Sequence, residues 1–219
     1  MIRVVVVDDH PVVRLGIRGL LESIGNIEVV GEVGSGEASI QLVRDTQPDI
    51  VLMDLNMPGT GGLTATYKLM RANPKWKVII MTVRDTDPFP EHLIRAGASG
   101  YISKKSNLDE LAKAIQKVMA GQIYISPEIA QRMALCRMSS SADSPFTQLS
   151  PLEMMVTLRV VRGQKPKDIA AAMHRSPKTV NTHRYRTFKK LAVRNDVELA
   201  HLALRYGLLE EAEKLPEPL

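Results

Sequence analysis

The chain of 219 residues has a single cysteine, Cys136. It can therefore build no internal disulfide framework, and a cysteine-based metal site is not expected. Beside Met133 and Leu135 that thiol reads as a small apolar side chain, not a redox centre. Aromatic residues make up only 4% of the sequence, so a core must come from Val, Ile, Leu, Met and Ala. Long apolar runs are missing as well. Four valines follow Met1-Ile2-Arg3, but Asp8 and Asp9 come at once, and a signal peptide does not carry two carboxylates in its apolar region. The longest apolar stretches fall far short of the ~18 residues of a membrane span. The reading is a reducing, cytoplasmic compartment with no membrane association. Acid is nearly absent from one stretch: residues 159–194 contain 11 Lys and Arg but one acid, Asp168.

Hydrophobic residues make up 44%, enough to build a buried core, and the net charge is +5. That charge is unevenly placed. Residues 1–120 hold 14 basic and 14 acidic side chains, and residues 150–219 hold 13 and 8. A neutral first half beside a cationic second half points to a polyanionic partner for the second. Along the first half, two periods alternate. Residues 4–7, 27–33, 49–55, 77–82 and 99–103 read as strands, several apolar throughout as in sheets covered on both faces. Residues 11–23, 36–47, 63–73, 88–96 and 107–120 read as helices. Inward positions are expected at Val13, Ile17, Leu20 and Leu21 in the first helix, and at Ala38, Leu42 and Val43 in the second. Five βα units predict a doubly wound, five-stranded parallel α/β sheet over residues 1–120. Residues 121–147 read as a linker with one helix from Ser126-Pro127, followed by a Ser-rich stretch at 139–145. Residues 148–210 are helical throughout, and 211–219 form a tail.

In a parallel sheet, functional groups gather beyond the carboxyl ends of the strands. Asp8 and Asp9 follow the first strand and Asp54 ends the third. Three carboxylates converging on one edge repel one another unless a cation compensates them, and magnesium, a hard ion that prefers oxygen, suits such a site. Thr82 ends the fourth strand and Lys104 follows the fifth. A hydroxyl and an ammonium are the groups that grip phosphoryl oxygens.

These residues carry a resemblance. Val5-Val6-Val7-Asp8-Asp9-His10, Asp54-Leu55-Asn56-Met57-Pro58-Gly59, Thr82 and Gly100-Tyr101-Ile102-Ser103-Lys104 resemble the receiver domain of bacterial response regulators, a flavodoxin-like fold, over residues 2–120. The resemblance implies that Asp54 accepts a phosphoryl group from a sensor histidine kinase. It implies that Asp8, Asp9, Asp54 and the backbone carbonyl of Asn56 hold Mg²⁺, that Lys104 and Thr82 grip the phosphoryl oxygens, and that Tyr101 turns inward as a switch. Lys105 departs from the pattern, where many receivers have proline.

In the second half, Ser150 and Pro151 open a helix that Gly163 ends. Residues 168–174 read as a second helix with Ile169, Ala170 and Met173 inward. Ser176 caps a third over residues 178–191, and residues 196–206 read as a last, amphipathic helix. A short helix, a turn and a basic helix make a helix-turn-helix pattern. Leu149-Ser150 with Glu153, Asp168-Ile169-Ala170, and Ser176-Pro177-Lys178-Thr179-Val180-Asn181-Thr182-His183 with Lys190-Leu191 resemble the LuxR-type DNA-binding domain. The whole chain resembles the NarL/FixJ class, and Asp87-Pro88-Phe89-Pro90, Tyr124-Ile125-Ser126-Pro127 and Thr179–Arg186 with Phe188 resemble its GacA/UvrY/LetA group most closely. That implies a sensor kinase of BarA/GacS type or its phosphotransfer domain as partner, dimerisation on phosphorylation, and two-fold promoter sites in double-stranded DNA, among them those of small regulatory RNA genes. On the third helix, Asn181, Thr182 and Tyr185 are candidate base readers. Lys178, Thr179, Arg184, Arg186 and Lys189 are candidate phosphate contacts, while Val180, Phe188 and Leu191 are core by spacing. Asn181 stands where the wider family has lysine, and Thr187 where it has an aliphatic residue, which is expected to weaken local packing.

Two other function classes compete. Phosphohydrolases also use an aspartyl phosphate, but with an acid two residues after the nucleophile; here Leu55-Asn56 follows Asp54, so external turnover is not expected beyond self-phosphorylation and slow self-dephosphorylation. An adaptor that binds an acidic protein through the basic helix is separated from a DNA-binding protein by sequence-selective, salt-dependent binding.

Overall fold

A computed structural model of the chain describes residues 1–55, 57, 61–82, 90–95, 97–138, 144–173, 175–206 and 208. The main division between its two compact units falls between Leu135 and Cys136. Asn56, Pro58, Gly59, the Asp87-Pro88-Phe89 stretch, the Ser-rich segment 139–143 and the tail lie outside the described residues, as does the Cys136 side chain.

Up to the end of α6 the chain runs β1 (Ile2–Val7), α1 (Pro11–Ile24), β2 (Ile27–Val33), α2 (Gly36–Thr46), β3 (Ile50–Asp54), α3 (Gly61–Ala72), β4 (Lys77–Thr82), α4 (Pro90–Arg95), β5 (Gly100–Ser103), α5 (Leu108–Met119), β6 (Tyr124–Ile125) and α6 (Pro127–Met138), and all six strands belong to the first unit. All sheet pairings are parallel, in the order β2-β1-β3-β4-β5-β6. The order reverses between β1 and β3, which makes the crevice beyond their carboxyl ends a topological switch point. The run Val4–Val7 is buried throughout because both sheet faces are covered. Val4, Val6, Ile50, Leu52, Ile79, Met81 and Ile102 meet Ile17 and Leu21 of α1 and Leu111, Ile115 and Val118 of α5 on one face. By strand alternation, Val5, Val51, Met53, Val78 and Ile80 line the other. Short polar side chains start the helices: Ser35 accepts from the Ala38 amide and Asn107 from the Glu110 amide, each cap stabilising by about 1 kcal/mol.

Three expectations change. The sheet has six strands, not five. Tyr124–Ile125, read as linker, pairs with Gly100 and Tyr101 of β5; a Cβ on Gly100 would come within 3.3 Å of the Tyr124 carbonyl oxygen, so glycine there permits the approach. Leu20 is outward, as are Val12 and Leu15, because α1 carries more apolar residues than one buried stripe can hold. On α2, Ala38 is exposed, Leu42 is half-buried over Gly31 as expected, and the fully buried positions are Gly36, Ser39 and Val43. Ala38 is instead the residue whose amide the Ser35 cap takes up.

The second unit is helical: a 3-10 turn (Pro145–Gln148), α7 (Pro151–Val161), α8 (Pro166–Met173), α9 (Pro177–Leu191) and α10 (Asp196–Arg205). Ser150 and Glu153 form a reciprocal capping box at the start of α7. Helix α8 starts two residues earlier than the apolar spacing suggests, with a proline in its first position. Ile169, Ala170, Met173, Val180, Phe188 and Leu191 are buried as expected. Phe146 of the 3-10 turn, fully buried and edge-on to Tyr206, completes this small core.

Candidate functional site

Four strand ends bring the expected groups together. Asp8 leaves β1 with its amide still bonded to the Val33 carbonyl, and Asp54 is the last residue of β3. Both carboxylates are buried, at 1% and 2% exposure. Lys104, just past β5, is held by its amide on the Thr82 carbonyl at 2.6 Å. Its Nζ lies 2.5 Å from Asp8 Oδ2 and 2.9 Å from Asp54 Oδ2. Burial works against the ammonium, but the hydrogen bonds and charges of Asp8 and Asp54 outweigh it and hold the Lys104 pKa above its ordinary value. Thr82 closes β4 and is fully buried, as is Tyr101 within β5. Behind Asp54 the backbone is clamped: a Cβ on Gly62 would lie 1.6 Å from the Asp54 carbonyl oxygen, so only glycine lets α3 start there.

Asp9 stays at the rim, a quarter exposed, with its Oδ1 2.9 Å from His10 Nδ1. The His10 amide donates to Asp8 Oδ1 at 2.9 Å, and Arg14 donates to the Asp8 carbonyl at 2.6 Å. Neither His10 nor Arg14 was singled out from sequence. The signal was there for His10, adjacent to the acid pair; for Arg14 it was its place one turn into α1. The donor set fits a hard dication. Two buried carboxylates, Asp8 and Asp54, share the Lys104 ammonium, with Asp9 at the rim, a charge imbalance that costs several kcal/mol per buried ion if uncompensated. Asp8, Asp9 and His10 place potential ligand atoms within 4.8 Å of one another, and this acidic cluster could bind a metal.

The basic surface is carried by α9. Ser176 caps it, accepting from the Thr179 amide, with the two side-chain oxygens 2.9 Å apart; Ala192 in left-handed conformation ends it. Val180, Thr187, Phe188 and Leu191 face the core, while Lys178, Thr182, Tyr185, Arg186 and Lys189 are exposed. Asn181 and Thr179 are half-buried, and the Thr182 hydroxyl donates back to the Lys178 carbonyl.

Two cations on this helix are already engaged. Lys190 reaches Glu153 at 2.7 Å and the Gln148 carbonyl at 3.1 Å. Arg184 grips Asp196 with two hydrogen bonds, at 2.6 and 2.5 Å. Sequence reading missed both pairs, since 37 and 12 residues separate the partners and no helical period links them. Burial holds Glu153 up, but Lys190 and the two Ser150 groups more than offset it, so its pKa falls below the ordinary value. Burial, then Arg186, pushes His183 down, so its half-buried imidazole is held toward the neutral form. Thr187, expected to loosen the packing, is fully buried with its hydroxyl 3.3 Å from that of Thr157.

Comparison with known proteins bears on both units. The family description "Response regulator receiver domain" matches residues 4–116, and "Bacterial regulatory proteins, luxR family" matches residues 147–203. The chain is 49% identical to the response regulator GacA of Pseudomonas aeruginosa over 97% of this chain and 100% of that protein. It is 47% identical to the response regulator UvrY of Escherichia coli over 95% and 96%. Among solved structures it is similar to RcsB from Salmonella enterica serovar Typhimurium bound to promoter rprA in the presence of the phosphomimetic BeF3-, with TM-score 0.70 and 28% identity over 92% of this chain and 97% of that one. A LuxR-family two-component response regulator from Aurantimonas matches at 40% identity and TM-score 0.60, covering 63% and 98%. No helix among the described residues is long and apolar enough to cross a membrane.

Proposed function

The chain belongs to the response regulators that join a receiver domain to a LuxR-type DNA-binding domain, and from that premise we propose that Asp54 is its phosphoacceptor and α9 its DNA-reading helix. The observation that carries the reading is the Lys104 ammonium bridging two buried carboxylates, Asp8 and Asp54, at the switch point of the sheet. A carboxylate oxygen of Asp54 attacks the phosphorus of a phosphohistidine on a sensor kinase of BarA/GacS type or its phosphotransfer domain. The P–N bond breaks as the P–O bond forms, and the imidazole leaves. Asp8, Asp9 and Asp54, with the Asn56 carbonyl, would hold Mg²⁺, which supplies positive charge opposite the phosphoryl oxygens. Lys104 moves from carboxylate to phosphoryl oxygen, Thr82 moves to donate its hydroxyl to another, and Tyr101, already buried, is the switch that turns further inward into the space Thr82 vacates.

Phosphorylation adds about −1.5 to −2 charges to a pocket in which Lys104 already holds two carboxylates, which biases the surface around β5 towards a second arrangement. The regulator then dimerises and binds two-fold promoter sites. Val197, an apolar residue 65% exposed on α10, is a suitable contact for a twin. The receiver extends over residues 1–120 together with β6, the rest of 121–147 joins it to a DNA-binding domain at 148–210, and 211–219 form a tail. The protein is cytoplasmic, its only chemistry is self-phosphorylation and slow self-dephosphorylation, and its targets include small regulatory RNA genes, which it activates. The test is molecular mass and DNA binding with and without a small-molecule phosphodonor plus Mg²⁺. Wild type gains dimer and affinity, and Asp54→Asn gains neither. DNA binding indifferent to both would overturn the switch.

A further inference from the structure

The basic residues of α9 are not equivalent. A phosphate contact needs a cation whose donors and charge are free. Lys178, Arg186 and Lys189 are exposed. Arg184 instead spends Nε and one terminal nitrogen on both oxygens of Asp196, and only a fifth of its side chain is exposed. Charge-assisted pairs of this two-pronged geometry are the strong ones. The pair is electroneutral, so it releases no counterion on meeting DNA, and its carboxylate would repel an approaching phosphate.

The same guanidinium lies against two rings. Its central carbon sits 5.1 Å from the Phe188 centroid and 5.9 Å from that of Tyr185. The rings themselves meet edge-on, 6.0 Å apart at 88°. Phe188 is buried, but Tyr185 is 63% exposed. An exposed aromatic with a cation on one side and a ring edge on another has fewer rotamers open to it than a free surface tyrosine. Tyr185 also stands one helical turn beyond Asn181, on the same strip of α9.

We propose that Arg184 and Asp196 are a positioning pair, and that the residue they position, Tyr185, is a specificity-determining contact to base edges in the major groove. The chemistry it fits is thymine: the ring packs on the C5-methyl group and the hydroxyl donates to O4. Asp196 lies in the first turn of α10, so the pair also ties the reading helix to the element after it. This inference rests on α9 being the DNA-reading helix.

The experiment uses the full chain with phosphodonor and Mg²⁺. Sequence preference is read by selection from duplexes with a randomised core, and salt dependence on an unselected duplex. Tyr185→Ala flattens the preference at one base position in each half-site by about tenfold, the lower end of the range for one mismatched pair. Arg184→Lys, which keeps the charge but loses the flat two-pronged grip, flattens the same position. So does Asp196→Ala, while Asp196→Glu retains the preference. Arg184→Ala combined with Asp196→Ala, which removes a neutral pair, leaves the slope of log affinity against log salt unchanged. A slope lowered by about one in that double variant, with preference kept in Arg184→Lys, would make Arg184 an ordinary phosphate contact and overturn the proposal. An unaltered preference in Tyr185→Ala would overturn it equally. Should Asp196→Ala fail to fold by circular dichroism, Arg184→Lys decides. Lys189→Ala separates the two levels: if its salt slope does not fall, the reading of α9 itself is wrong.

Discussion

The pocket at the strand ends and the surface of α9 both depend on charge, and they use it in opposite ways. In the pocket, Asp8, Asp54 and Lys104 are nearly sealed from water and locked together within 3 Å. Low polarisability makes each charge matter a great deal, and on the proposed reading a single phosphoryl group added to Asp54 changes the arrangement. On α9 the free cations stand in water, screened over about 10 Å at ordinary ionic strength, and each adds a small, nearly independent share. A switch needs the first kind of electrostatics, because one event has to be decisive. A DNA-binding face needs the second, because it must engage and leave many sites. The contrast also predicts which substitutions trade stability against function.

The largest effects belong to the pocket, and they have opposite signs. Lys104→Ala leaves two buried carboxylates without their cation and lowers the stability of the first unit by about 3 kcal/mol, the lower end for breaking a buried pair. Asp54→Asn removes one of the repelling acids and leaves stability equal or higher, while abolishing the phosphodonor response. Trp76, the one tryptophan of the chain, is buried in the first unit, so its fluorescence in urea follows that unit alone. If both substitutions destabilised equally, the pocket would be a structural network and not a site held under strain for function.

A smaller effect is expected in the second unit. Glu153 caps α7 and pairs with Lys190, which holds its pKa below the ordinary carboxylate value. A depressed carboxylate contributes stability that is present above its unfolded value and is lost as pH falls through its folded one. The helical signal of this unit should therefore weaken below about pH 4.5 in wild type. In Glu153→Gln that acid dependence is blunted, and stability at neutral pH falls by about 1–2 kcal/mol. Circular dichroism changes not matched by Trp76 fluorescence isolate this unit. An equally steep acid loss in Glu153→Gln would assign it to other groups.

Smaller still are single changes on the open surface. Lys189→Ala weakens all duplexes alike and lowers the salt slope by about one, whereas Asn181→Ala relaxes preference at one base pair by roughly 1–3 kcal/mol of discrimination. Identical losses from both would mean the two residues do not divide positioning from reading.

Much of this was legible from sequence, for a physical reason that also marks its limit. Continuous apolar runs such as Val4–Val7 and Leu111, Ile115 and Val118 at helical spacing record burial directly, and Asp8, Asp54, Thr82 and Lys104 are placed by where those runs stop. Tyr124–Ile125 was not legible as a strand. Two residues have no period, and their pairing depends on the bare backbone at Gly100, some two dozen residues earlier in sequence. Leu20 and Ala38 failed for the converse reason, since apolar spacing names a stripe without saying which part of it a neighbour covers. The Arg184–Asp196 and Lys190–Glu153 pairs were invisible because a charge carries no sign of its partner until the helices are in place.

Thr187 is the finest test of that limit. Its hydroxyl replaces an aliphatic branch in the α7–α9 core, which by composition alone means worse packing. In the folded chain it meets Thr157, whose own hydroxyl also bonds the Glu153 carbonyl at 2.8 Å. Thr187→Val therefore removes one side of a buried polar pair without stranding the other, because Thr157 keeps its backbone acceptor. Shape is preserved, and a buried polar group exchanged for a methyl with no orphan left behind is nearly neutral or slightly stabilising. The expected change in the urea midpoint of the second unit corresponds to less than about 1 kcal/mol, of either sign. Thr157→Val is the harsher partner experiment, since it strands the Thr187 hydroxyl in a dry interior, at a cost of about 1–3 kcal/mol. If Thr187→Val proved as costly as Thr157→Val, the two hydroxyls would be an obligate pair, and the polar substitution in this core would have been selected as such.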